Sequence, residues 1–206
     1  MSSSYVPLWV KSCFSFLEGA SHPEELVEAA HKLGLPAIAL ADRDGVYGLV
    51  RAHVKAQELG QPLLIGTELT VVARASLEDD SAVPEHVVLL AGSREGYAAM
   101  CKLVSRARLR CEKGRARASR EELCLAGQES AGGLVALVPR PALLAPLRDA
   151  FAGALFGIKF QQIFAEIMHR AGGDFVALAA GENRGERAFA GAVQPHQRVD
   201  FARVDG

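Results

Sequence analysis

The chain has 206 residues, 50% apolar and 23% charged, an ordinary globular composition that excludes wholesale disorder and allows a sizeable core. Lysine and arginine number 23 against 24 aspartate and glutamate, so the net charge of -1 excludes a global positive field, and affinity for nucleic acid or membrane must come from a local patch. Apolar runs such as Pro62–Gly66 and Val87–Ala91 fall well short of the roughly 18 residues of a membrane span.

Tyr5–Val10 reads as a short extended segment. Ser21 then announces a helix as N-cap, with Glu24 completing a capping box and Pro23 in the first turn. Leu26, Val27, Ala29, Ala30 and Leu33 form its buried stripe, and Gly34 closes it. Pro36–Ala41 reads as a buried strand, Asp42–Gly45 as a turn and Val46–Leu59 as a second helix ending at Gly60. Pro62–Gly66 is a third strand that can continue into Leu69–Val72. After an acidic loop come a strand at His86–Ala91 and a helix at Glu95–Arg108. Leu134–Val138 is a further strand, followed by a Pro-interrupted helix over Arg140–Phe151. Strand and helix alternating at this spacing predict βα units around a parallel sheet, in a barrel or a doubly wound layer.

In either architecture a site is built from polar residues at strand ends. Lys11, Ser12 and Glu18 follow the first strand, Asp42, Arg43 and Asp44 the second, and Thr67 and Glu68 the third, while His86 opens the fourth. Carboxylates and imidazoles gathered at one mouth are divalent-metal ligands. The same acids also serve as turn formers or helix N-terminal charges, and spacing alone leaves both readings open. Cys13, Cys101, Cys111 and Cys124 have no CxxC spacing and read as reduced thiols. With Met1–Tyr5 lacking the pattern of a secretory signal, a cytoplasmic location is expected. No Gly-x-Ser-x-Gly elbow or P-loop is present.

The order of several separated motifs is more specific. Leu8-Trp-Val-Lys-Ser-Cys-Phe-Ser-Phe-Leu-Glu18, His22-Pro-Glu-Glu-Leu26, Leu40-Ala-Asp-Arg-Asp-Gly-Val-Tyr-Gly48, Gly66-Thr-Glu68 and Glu85-His-Val-Val-Leu-Leu-Ala91 occur in sequence. Together they resemble the PHP (polymerase and histidinol phosphatase) domain at the N-terminus of bacterial C-family DNA polymerase III alpha subunits. Lys11-Ser12 and Asp42–Asp44 look most like the error-prone, translesion branch. The resemblance implies an α/β fold, a PHP-type (β/α)7 distorted TIM-like barrel. It also implies a family activity of DNA-directed DNA polymerase, a nucleotidyltransferase of DNA replication and damage repair. Implied partners are DNA in the full-length context, other polymerase domains and accessory replication or repair proteins, with no membrane.

In active members of the resembled family, histidines and acids hold a multinuclear metal centre, with zinc or manganese at such PHP sites and magnesium at the polymerase site. Here Glu18, Asp42, Glu68 and His86 remain, while Trp9, Lys11 and Arg43 stand where histidine ligands are expected. Lysine and arginine offer no lone pair and bring positive charge against an incoming ion. The expectation is therefore a degenerate site with no cofactor and no catalytic residue, in which Lys11 and Arg43 pair with Glu18, Asp42 and Glu68. A metal-dependent PHP-superfamily phosphoesterase acting on a small phosphomonoester is the alternative, and a non-enzymatic scaffold the third reading.

Arg106–Arg120 holds seven cations and one acid. Arg106, Arg108, Arg110, Lys113, Arg115 and Arg117 are candidates for phosphate contact, against the alternative of a solvated loop. From Leu155 the wording departs from the resembled family, so the reading divides the chain into a PHP domain at 1–154 and a divergent segment at 155–206. That segment has a helical pattern over Ile158–Ala171, a short strand over Phe175–Ala180 and a polar tail. With too few βα units to close and no palm carboxylates, the barrel is expected to be incomplete at its C-terminal end and the chain truncated.

Overall fold

The computed structural model describes residues 5–79, 81–140, 143–151 and 154–157. The helix and strand expected at 158–180 lie outside these residues. Helix α1 spans Pro23–Lys32, one residue later in its capping than the sequence suggests: His22 is the N-cap, and its backbone N–H donates to Glu25 Oε2 at 2.7 Å. Strand β1 is Ile38–Arg43, helix α2 Leu49–Leu59 and strand β2 Leu63–Val72. Asp42 and Arg43 therefore belong to the strand, and the turn begins at Asp44, whose φ of 50° is left-handed. Strand β3 covers Glu85–Ala91 and helix α3 Arg94–Arg110, capped by the Ser93 hydroxyl. Strand β4 (Ala118–Ser119) and helix α4 (Arg120–Glu129) follow, then strand β5 (Leu134–Val138), the one-turn helix α5 (Leu144–Leu147) and strand β6 (Leu155–Gly157).

The six strands form one mixed sheet in the order β1-β2-β3-β5-β6, with β4 beside the end of β2. β1 and β2 run parallel, as do β5 and β6, but β3 is antiparallel to both its neighbours. The wholly parallel sheet read from the sequence is corrected at this strand. The extended segment before α1 adds a single parallel bridge, Val10 to Leu40, and the ladder turns irregular beyond it, where Ala39 N–H donates to the Pro7 carbonyl.

Period-two alternation divides the core. One face of the sheet carries Ile38, Leu40 and Leu63 against α1 and α2, and Leu69, Val71, Val87 and Leu89 against α3, α4 and α5. The opposite face carries Ala37, Ala39, Ala41, Leu64, Val88, Leu90, Val135 and Leu137, closed by Val6, Leu8 and Ala154. The alanines leave room on this inner face for the larger side chains of the first segment. Among the described residues no helix is long and apolar enough to cross a membrane.

Candidate functional site: an ion-paired cup

The same alternation positions the charged residues. Val10 shares a face with its partner Leu40, so Trp9 and Lys11 point the other way, into the inner face. Arg43 continues the inner row of Ala37, Ala39 and Ala41, and pairs in register with Glu68, which continues the row of Leu64 and Gly66. His86 is the second residue of β3, and the antiparallel course brings it opposite Thr70, diagonal to Glu68. Had β3 been parallel, His86 would lie at the far end of the sheet.

Glu68 is the centre, with 1% of its side chain exposed. Trp9 Nε1 donates to its Oε2 at 2.6 Å, and Lys11 Nζ lies 2.6 Å from the same oxygen. Arg43 Nε and Nη2 both donate to Oε1 at 3.3 Å. Lys11 and Arg43 each also pair with Glu18, so the two cations bridge the two acids. His86 Nδ1 lies 3.3 Å from Glu68 Oε1, but the geometry is not that of a hydrogen bond, and among the described residues Nδ1 has no other partner. Burial pushes the Glu68 pKa up, but the hydrogen bond and charge of Lys11, with the charges of His86 and Arg43, outweigh it and hold the carboxyl below its ordinary value.

Asp42 corrects the expected arrangement. It takes no part in this pairing, because as the even-numbered neighbour of Arg43 it points to the opposite face, with Ile38 and Leu40. There it is 2% exposed and accepts three hydrogen bonds: from Ser12 N and Ser15 Oγ on Oδ1, at 2.7 and 2.6 Å, and from Ser12 Oγ on Oδ2, at 2.7 Å. Ser15 was not singled out by sequence reasoning; a serine pair at i and i+3 just beyond a strand was the available signal. Asp44, also buried, accepts from Thr70 N and Thr70 Oγ1 at 2.7 Å each. Burial raises its pKa despite the opposing Thr70 hydrogen bonds and the charges of Arg108 and Arg43.

The donor set does not fit a divalent metal. The lone pairs of Glu68 and Glu18 already face an ammonium, a guanidinium and an indole N–H, none of which can ligate. Among the described residues no three His, Cys, Asp or Glu side chains converge in a ligand arrangement.

A consequence for acid stability follows from the lowered pKa of Glu68. A carboxyl depressed in the folded state stabilises the protein above its unfolded value of about 4.5, and that contribution is lost as pH falls through the folded value. Urea unfolding across pH 3–7 is expected to show stability falling below this value. In Glu68→Gln the fall is expected to be shallower, starting from a lower plateau; an unchanged profile would refute the assignment.

The candidate phosphate-contacting residues are dispersed and largely engaged within the chain. Arg108 Nε donates to the Asp44 carbonyl at 2.6 Å, and its guanidinium lies 5.0 Å from the Tyr47 ring centroid. Arg110 pairs with Glu122, holding that carboxyl low, and Arg117 donates to the Asp79 carbonyl at 2.8 Å. Arg120, the last cation of the run, pairs with Glu85 at 2.7 Å. Arg106, Lys113 and Arg115 are exposed.

Comparison with known proteins finds relatives over most of the chain. The error-prone DNA polymerase of Anaeromyxobacter sp. (strain K) is 43% identical over 209 residues, covering 95% of this chain and 17% of that protein. Those of Rhodopirellula baltica and Mycobacterium tuberculosis are 41% and 42% identical, each covering 64% of this chain, with 11% and 12% of those proteins. The chain thus spans less than a fifth of the length of these curated relatives. In fold it is similar to a protein described as a metal-dependent phosphoesterase from Bifidobacterium adolescentis, with TM-score 0.52 and 18% identity over 90% of this chain and 92% of that one. An amidohydrolase from Chromobacterium violaceum gives TM-score 0.51 and 18% identity over 81% and 84% of the two chains. The PHP domain family matches residues 8–178, running past the boundary read at residue 154. A family match over most of the sequence, joined by 43% identity to a polymerase over 95% of the chain, means that this chain belongs to the PHP domain family.

Proposed function

We propose that this chain is the PHP domain of an error-prone DNA polymerase and that it serves there as a structural domain without phosphoesterase activity of its own. The observation that carries this reading is the pairing of Lys11 and Arg43 with Glu68 and Glu18 at the mouth where metal ligands are expected. Protein cations balance the charge that bound ions balance elsewhere. The Glu68 oxygens accept from Trp9, Lys11 and Arg43, which leaves them turned to protein donors rather than to an ion that could activate a water. Identity of 41–43% to error-prone polymerases supports the assignment to that branch, whereas the likeness to the phosphoesterase, at 18% identity, supports fold alone.

In the longer protein the reading places this domain in the cytoplasm, beside the polymerising domains and accessory proteins that handle DNA. Within the basic run, the exposed Arg106 and Lys113 are candidates for a supporting phosphate contact. The test is hydrolysis of p-nitrophenyl phosphate by the purified chain with added manganese or zinc, alongside elemental analysis after dialysis. No hydrolysis above the metal-only blank and substoichiometric metal are expected. Saturable hydrolysis with at least one equivalent of retained metal would favour the phosphoesterase alternative and overturn this reading.

A further inference from the structure

Beside the cup lies an apolar surface that the ion pairs do not explain. The loop after Val10 folds back on itself: Ser15 N donates to Ser12 O at 2.9 Å, and Glu18 N and Gly19 N donate to Ser15 O at 2.9 and 3.0 Å. Gly19 passes so close that a Cβ there would stand 2.1 Å from the Ser12 carbonyl oxygen, so only glycine fits. Ser12 and Ser15 are tied to Asp42, and Glu18 to Lys11 and Arg43. The loop is thus held from both ends, yet its tip points its largest side chains into solvent: Phe16 is 85% exposed and Leu17 91%. Phe14 extends the surface to Tyr47, with ring centroids 6.5 Å apart, and Val50 and Val54 continue it one turn apart on the outer side of α2.

Several large apolar side chains exposed on one anchored loop and the helix that follows β1 mark an interaction surface. Charge decides the kind of partner. The cations around this surface are paired: Arg43 with Glu18 and Glu68, Arg51 with Glu24, and Lys55 with Glu28 and Glu58. Arg108 is drawn onto Tyr47 and the Asp44 carbonyl. A nucleic-acid surface needs cations open to phosphate, and here they are neutralised, so the chemistry favours protein. The occupant is indicated by the length of the relatives: the match to this chain takes up 17% of the Anaeromyxobacter polymerase, and most of that polypeptide lies outside it. Domains of one chain meet through interfaces of moderate size that combine apolar and polar surface.

We propose that the Phe14–Leu17 loop, with Tyr47, Val50 and Val54, is the face on which this domain docks against the polypeptide that follows the matched region in the longer polymerases. The proposal rests on the reading of the chain as a polymerase domain. The experiment exchanges the matched region of the full-length Anaeromyxobacter protein for this chain and follows hydrogen exchange of residues 12–21, compared with the free 206-residue chain. Exchange there is expected to be at least tenfold slower in the joined protein, and a Phe16→Asp, Leu17→Asp double variant is expected to lose that protection. If the exchanged protein polymerises but the loop exchanges as in the free chain, the docking face is refuted and the polymerase reading stands. If the exchange abolishes polymerase activity while the parent retains it, the polymerase reading itself fails and the proposal falls with it. In the free chain, the double variant is expected to melt within a degree or two of wild type, since both side chains lie in solvent. A large drop in melting temperature would overturn the proposal by showing that Phe16 and Leu17 belong to the fold. Light scattering that shows self-association lost in the variant would assign the face to a second copy instead, and single-strand DNA binding lost in the variant would assign it to nucleic acid; either result overturns the proposal.

Discussion

Replacing Glu68 by alanine is expected to cost about 3–5 kcal/mol of folding stability, a large fraction of what a domain of this size has. The carboxylate is almost fully buried and accepts from Trp9, Lys11 and Arg43 together. Its removal leaves two cations facing each other across the inner sheet face, with only Glu18 between them, and an indole N–H with no acceptor. The cost is mostly that of the groups left behind rather than the worth of the pairs, since a buried ion pair gains little over a well-packed apolar substitute. Equilibrium urea unfolding near pH 7 measures it, and the thermal midpoint is expected to fall by about 10 °C or more. A Glu68→Ala variant within 1 kcal/mol of wild type would mean that water enters the cup and the network is dispensable.

The second large effect is expected at Asp42, through a different mechanism. Asp42→Ala removes the acceptor for a backbone N–H and two hydroxyls in a site that is 2% exposed. Hydrogen bonds to a charged acceptor contribute about 1.5–3 kcal/mol each by deletion, with partial recovery if the serines find water, so a total loss of about 3 kcal/mol is expected. The diagnostic feature is where the loss appears. Hydrogen exchange over residues 12–19 is expected to accelerate before the rest of the sheet opens, because Asp42 fastens that loop to β1. Uniform acceleration across the sheet would instead make Asp42 a general core residue.

Most of the element order was legible in the sequence because apolar period and punctuation agree there. Gly60 ends α2 in a left-handed conformation, and Leu134–Val138 is a strand in which every residue is buried. Three things were missed. The direction of β3 is carried by no local signal, since the residues between β2 and β3 can return the chain either way, and only the ladder decides it. That direction also determines whether His86 reaches the mouth. Helix α4, which starts at the last residue of a run read for its charge, was missed, although Ser119 and Glu122 form a capping box at its start. The separation of Asp42 from the ion pairs follows from the pleat once Asp42 and Arg43 are placed in a strand; reading them as a turn concealed it.

The bridging of Glu18 and Glu68 by Lys11 and Arg43 has a consequence for how the domain is made in the cell. Its counter-ions are encoded in the polypeptide and arrive at a fixed ratio with every copy translated. On the proposed reading, maturation of this cup needs no loading step, and the amount of correctly assembled domain is expected to stay unchanged when transition ions are scarce in the growth medium.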